Sequence, residues 1–422
     1  MIQMINLTPG VVLRHYPDKR FKTAILSVQL LRPMCREEAA LNALLSVVLL
    51  RGSKNYPDMR TITMRQDELY GASLPPLLRR IGDIQTVGLF CGFLEDRFAL
   101  PGDQIMAPAL ELTRELLLEP KLVDGAFDPE FVESEKRNLI ADIESELNDK
   151  RAYAANRMLR HLCAGDSFAV PIRGTVEDVQ AITPESLYAH YQRILRTSPA
   201  HICYVGSADA QQVAACLMPL AKALAAEPEK LPEQTPLTLT AEAREFSETM
   251  DVNQGKLSMG FVTPVDHWHP DYIAMQVFNA VYGAGMTSKL FVNVREKLSL
   301  CYYAGSGYYG SKGILTVSSG IDECNYEQAK AEILRQLQLT AEGSITAEEL
   351  SAAKSAIISG LRSVPDSPRA LESFYGTLYI SGRADDLAER IAAVEAVTAE
   401  DVARCAGTLR LHTVFFLKGE AK

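Results

Sequence analysis

A seven-residue stretch, Val179-Gln-Ala-Ile-Thr-Pro-Glu185, returns 215 positions later as Val394-Glu-Ala-Val-Thr-Ala-Glu400. Each copy reads as the opening of a helix. Thr183 or Thr398 stands where an N-cap belongs, and an acidic residue follows in the first turn. Each helix then leads to a strand, His201–Gly206 in one half and His412–Gly419 in the other. A second correspondence precedes the first, in the same order. Strand Ala24–Leu31 comes before helix Glu37–Leu50 and Gly52, and strand Lys256–Val262 before helix Pro270–Val281 and Gly283. The repeated unit is about 200 residues, far longer than a solenoid repeat. The sequence therefore predicts two homologous α+β domains, each a largely antiparallel sheet with helices packed on one face. Between them lies Glu-Pro-Glu-Lys-Leu-Pro-Glu-Gln-Thr-Pro-Leu-Thr, where three prolines disfavour both helix and central strand. The boundaries this gives are 1–226 for the first domain, 227–238 for a linker and 239–422 for the second.

Charge and thiols narrow the setting. A net charge of -10 opposes nucleic-acid binding, which depends on neutralising phosphates. The longest apolar stretch, Ala39–Leu50 with Asn42 inside it, is shorter than the roughly 20 residues a bilayer requires. No basic segment followed by an apolar one opens the chain, so no secretory signal is expected. Eight cysteines are scattered without a CxxC pair, which fits a reducing compartment and a cytoplasmic location.

Two motifs invite a reading that their surroundings refuse. Gly305-Ser-Gly-Tyr-Tyr-Gly310 matches GxGxxG, but a strand pattern, Gly313–Gly320, follows where a dinucleotide site needs a helix N-terminus. It reads as a loop between two strands. His267 and His269 are near neighbours without a third ligand and read as a solvated helix entrance before Pro270.

Helix Glu37–Leu50 is apolar nearly all round and closes on Arg51-Gly-Ser-Lys-Asn-Tyr-Pro57. That turn resembles the one ending the HxxEH zinc helix of pitrilysin/insulinase-type (M16) peptidases. Aligned through it, the first ligand His falls on Ala43, the catalytic Glu on Ser46 and the second His on Val47. The family's third ligand falls near Asp142, on a helix read over Pro129–Asn148, and its accessory glutamate on Glu135. Hydrocarbon side chains cannot ligate zinc, and a serine is no carboxylate base. The resemblance thus implies no metal in this chain. In the second half, Gly283-Ala-Gly-Met-Thr-Ser288 and Val294-Arg-Glu-Lys-Leu-Ser-Leu-Cys-Tyr302 resemble the family's GGGM…VREKLGLAY signature. In that family the Arg and Tyr of the signature hold the scissile carbonyl of the substrate, and the resemblance implies that role for Arg295 and Tyr302. Asp67-Glu-Leu-Tyr-Gly-Ala72 resembles a bacterial branch whose members lack HxxEH.

Several expectations follow from the resemblance. The two domains form a clam-like chamber. The chain is the non-zinc subunit of a heterodimeric peptidase, similar to the alpha-type subunit of processing peptidases. Its partner is an M16 relative that carries the zinc, its substrate a peptide, and a homodimer is left open for the isolated chain. The alternative is a non-catalytic structural or interaction protein that retains the peptidase fold.

Overall fold

The computed structural model describes residues 2–238 and 242–419. The first three residues assigned to the second domain, 239–241, and both chain ends lie outside the described residues.

The chain forms two compact α+β units. The first is built on a six-stranded sheet in the order Gln3–Thr8, Val11–Pro17, Ala200–Gly206, Thr23–Pro33, Ile84–Leu94, Pro76–Ile81. Its one parallel pair joins Val11–Pro17 to Ala200–Gly206. The second has five strands in the order Cys301–Tyr309, Ile314–Ile321, Gly255–Val262, Arg410–Lys418, Arg244–Thr249, and only the last pair is parallel.

The two sequence correspondences mark equivalent places in these units. Thr183 caps helix Pro184–Thr197 and Thr398 caps helix Ala399–Thr408, each in a reciprocal bond with the residue three positions on. Helix Arg36–Val48 follows the first central strand, and helix Tyr272–Tyr282 follows the second. The latter starts two residues beyond Pro270. The Asp266 carboxylate accepts from the backbone N–H groups of Trp268 and His269, which holds the chain in a turn there.

Period-two alternation assigns the two faces of each sheet. On Thr23–Pro33, Ala24, Leu26, Val28 and Leu30 face the main core, together with Leu44, Leu45 and Leu110 from helices. Ser27 and Gln29 face the opposite side, where helix Pro368–Ile380 lies. On Gly255–Val262, Leu257, Met259 and Phe261 enter the second core, while Val262 joins helix Lys150–Leu162 on the other face. Gly260 is needed there, since a Cβ at that position would collide with Leu162 and Met158. Most helices thus share one face, and a single helix covers the other. That single helix comes from the opposite sequence half in both units: Val364–Ile380 belongs to the first unit, Ser145–Ala169 to the second.

The proline-rich stretch adopts neither helix nor strand, yet its beginning is tied to the first unit. Glu227 and Glu229 donate backbone bonds to the carbonyls of Arg196 and Thr197. The unit boundary falls at Glu233/Gln234. The GxGxxG stretch is a strand and the turn after it, which corrects its reading as a loop. Cys301–Tyr309 pairs along Ile314–Ile321, and the Ser306 N–H reaches the Gly283 carbonyl at 3.0 Å. A Cβ at Gly305 would lie 3.3 Å from that same carbonyl, so the glycine permits the close approach.

Candidate functional site

Arg295 lies in the last turn of a π-helical stretch, Leu290–Lys297, and Tyr302 is the second residue of the strand Cys301–Tyr309. A wide π-type turn is uncommon and concentrates at functional positions. Between them the chain reverses through Ser299, whose φ of +50° lies in the left-handed region that favours glycine. Ser299 occupies the signature's glycine position, so this chain tolerates local strain where the pattern avoids it. The reversal is held by backbone bonds from Ser299 to the Arg295 carbonyl and from Leu300 to the Val294 carbonyl, both 3.1 Å.

The result is an open depression of about 410 Å³ lined by Arg295, Glu296, Ser299, Leu300, Cys301, Tyr302 and Asp322. Both residues singled out from the sequence therefore face one space. Tyr302 is 64% exposed, and its hydroxyl has no hydrogen-bond partner among the described residues. The Arg295 side chain is 39% exposed, with a 3.4 Å contact to Glu296. Its guanidinium also lies 4.6 Å over the Phe291 ring. A pair of neighbouring exposed charges contributes little and does not fix the arginine. Arg295 and Tyr302 are thus two polar donors available to a ligand oxygen. Asp322, which also lines the depression, is separated in sequence from the signature, and no motif marks it.

The other candidate residues lie in the first unit. Ala43 is 3% exposed and packed in the main core. Ser46 is buried, and its hydroxyl donates to the Ala43 carbonyl at 2.8 Å, within the helix. Val47 is half-buried against the same core. Asp142 is exposed on helix Pro129–Ser145. Glu135, on the same helix, accepts from Arg51 at 2.8 Å and from Asn138 at 3.2 Å. Arg51 belongs to the turn that follows helix Arg36–Val48, so the Glu135 carboxylate holds that turn in place. No group of three or more His, Cys, Asp or Glu among the described residues is arranged to hold a metal. A zinc ion does not fit these side chains: positions 43 and 47 offer only hydrocarbon, and the serine hydroxyl is already bonded.

Next to these positions runs a polar network that sequence reading missed. Arg32 donates two bonds to Glu38, at 2.8 and 2.7 Å. Arg193 reaches the same carboxylate at 2.7 Å and the His190 Nδ1 at 3.1 Å. His190 Nε2 bonds the Asn42 Oδ1 at 2.8 Å, and Asn42 donates to Gln85 at 2.8 Å. An acceptor oxygen on one side and a guanidinium on the other require a neutral ring protonated on Nε2. Burial accordingly lowers the His190 pKa to about 4. Burial alone raises the Glu38 carboxyl, but the bonds and charges of Arg32 and Arg193 outweigh it and the net shift is downward. The network ties helix Arg36–Val48 to helix Pro184–Thr197 and to the sheet beside positions 43–47.

His267 is buried, correcting its reading as part of a solvated entrance. Its backbone bonds the Gly310 carbonyl at 2.8 Å, its own carbonyl accepts from Arg383, and burial lowers its pKa. His269 is half-buried and receives the Asp271 N–H on Nδ1 at 3.1 Å.

Comparison with known proteins gives a consistent picture. Residues 181–357 match the family described as the peptidase M16 inactive domain. A probable inactive metalloprotease of Bacillus subtilis, YmfF, is 32% identical, over 97% of this chain and 96% of its own. The crystal structure of a conserved protein from Enterococcus faecalis superposes with a TM-score of 0.91 at 29% identity, covering 100% of this chain and 99% of that one. A peptidase M16 inactive domain from Pseudomonas fluorescens shares the fold, with a TM-score of 0.82 at 17% identity, covering 100% and 98%.

Proposed function

Because the chain belongs to the M16 peptidase family, as a homologue of its inactive metalloproteases, we propose that it is the non-zinc subunit of a two-chain M16 peptidase. In this reading a partner of the same family carries the zinc and its activating glutamate. Arg295 and Tyr302 of this chain hold the scissile carbonyl of a bound peptide. The observation that carries the reading is that both side chains line one open depression while neither is committed to a strong internal partner.

The chemistry follows from the donors. A guanidinium and a phenol O–H both donate hydrogen bonds to a carbonyl oxygen. Aimed at the oxygen that becomes negative as water attacks, one such donor is worth about 3 kcal/mol. Eight free thiols agree with a cytoplasmic setting. Among the described residues no helix is long and apolar enough to cross a membrane.

The test is peptide cleavage by this chain, by an M16 relative carrying HxxEH, and by their mixture. The mixture alone is expected to cleave, and activity is expected to fall when Arg295 and Tyr302 are replaced together. Full activity after that replacement refutes the catalytic role and favours a structural or interaction protein, which predicts association without any change in the partner's turnover.

A further inference from the structure

The ion pair and the ring contact of Arg295 are both local: its guanidinium meets Glu296 at 3.4 Å and lies 4.6 Å over the Phe291 ring. Where it stands in the depression is therefore set by how the π-helical stretch Leu290–Lys297 is held. In a π-turn the hydrogen bonds run to the fifth residue, and side chains four apart fall nearly into line. The contacts show those rows. Lys297 donates to Asn293 at 3.0 Å, and Arg295 covers Phe291. Between the row of Lys289, Asn293 and Lys297 and the row of Phe291 and Arg295 runs a third, Leu290 and Val294, which is buried in the second core.

Apolar burial of that middle row is non-directional and leaves rotation about the stretch's own axis weakly fixed. Two polar links supply the direction. Lys289, immediately before the stretch, is buried and donates to both carboxylate oxygens of Glu349 at 2.9 Å. Glu349 belongs to helix Ala347–Ser363, and its carboxylate also accepts from the Thr346 N–H at 3.0 Å, so the helix cap and the lysine share one group. Asn293 donates at 2.8 Å to the buried Gln336 of helix Tyr326–Ala341. Gln336 is oriented in turn by its own bond to Glu332 at 2.6 Å. Two helices thus grip one flank of the stretch at points about a turn apart, and the flank carrying Arg295 is left to the depression.

We propose that Glu349 and Gln336 are positioning residues: through Lys289 and Asn293 they fix the rotation of the π-helical stretch and thereby set Arg295 in the depression that Tyr302 also lines. The consequence for cleavage rests on the role proposed above for Arg295; the consequence for the stretch itself does not.

The test uses the full-length chain with Lys289→Met and Glu349→Gln together. Methionine keeps the length of the lysine stem, glutamine still accepts from Thr346, and no buried charge is left unpaired, so Tm should move by no more than a few degrees. Without any partner, amide hydrogen exchange across residues 290–300 should rise about tenfold while helix Tyr272–Tyr282 keeps its rate. Unchanged exchange at 290–300 overturns the proposal, as does an equal rise in both segments. With the zinc-bearing relative present, kcat should fall about tenfold and KM change less than about twofold, and the variant should cost nothing further in an Arg295→Ala chain. Full kcat, or the same tenfold loss in the Arg295→Ala chain, overturns the positioning of Arg295. If Arg295→Ala itself leaves cleavage unchanged, the role given to Arg295 fails, and the exchange result alone decides the proposal. Should the double variant not fold, Gln336→Met, which breaks only the second link, carries the same readings.

Discussion

Writing the HxxEH pattern into helix Arg36–Val48, with Ala43→His, Ser46→Glu and Val47→His together, should not create a metal site. Ala43 is 3% exposed and touches the main core on its side of the helix. An imidazole there overpacks a closed site, at about 1–3 kcal/mol, and leaves polar nitrogens unpaired, at about 1–3 kcal/mol more. A glutamate at 46 buries a carboxylate where only a hydroxyl bonded to its own helix now fits. The sum is about 5 kcal/mol, a large part of the 5–15 kcal/mol that holds a typical domain. For a unit of this size that lowers Tm by about 10 °C. Zinc would repair the loss only if all ligands converged, in which case a thousandfold excess over Kd adds about 4 kcal/mol. Asp142 is exposed, and Glu135 is already bonded to Arg51. The assay is thermal unfolding of the triple variant with and without zinc, alongside metal content after purification. We expect a lowered Tm that zinc leaves unchanged and no retained metal. Stoichiometric zinc with recovery of several degrees would refute the argument that the core has closed over this site.

Arg295→Ala and Tyr302→Phe should each change stability by less than about 1 kcal/mol, since Tyr302 is largely exposed and the half-exposed Arg295 makes only weak contacts with Glu296 and Phe291. Each should lower cleavage by the two-chain mixture about a hundredfold, measured as kcat. Ser299→Gly should raise the unfolding free energy by up to about 1 kcal/mol, read from the denaturation midpoint, because glycine adopts the φ of +50° without strain. Its loss of chain entropy offsets part of that gain. Acid should destabilise the fold through two histidines, His190 with a pKa of about 4 and His201 with one of about 3, both lowered chiefly by burial. Unfolded, each binds a proton near pH 6.5. The stability that their neutral burial provides is therefore whole above that pH and is lost as pH falls toward 4, by about 3 kcal/mol for His190. Urea titrations at pH 7 and pH 5 read the slope, which should flatten in His190→Gln. A stability unchanged between those two pH values would contradict the neutral, buried assignment.

The amino-acid sequence by itself determined the duplication, the two capped helices at Thr183 and Thr398, the central strands and the Arg295–Tyr302 segment. These rest on local chemistry: capping uses residues three apart, strands use alternate residues, and the signature is nearly contiguous. It also determined that positions 43 and 47 cannot bind a cation, because that is a property of the side chains alone. What the sequence could not convey depends on partners far along the chain. The burial of His267 follows from Gly310 and Arg383, and the neutral His190 from Asn42 and Arg193. The extended GxGxxG stretch owes its form to pairing with Ile314–Ile321. Above all, only the tertiary structure assigned helix Pro368–Ile380 to the sheet of the opposite sequence half and placed Glu372 on Ser27, Gln29 and Arg79. Neither the 3.6-residue period of that helix nor the two-residue period of the strand carries any record of the other, since each encodes a face, and the match between faces forms only in three dimensions.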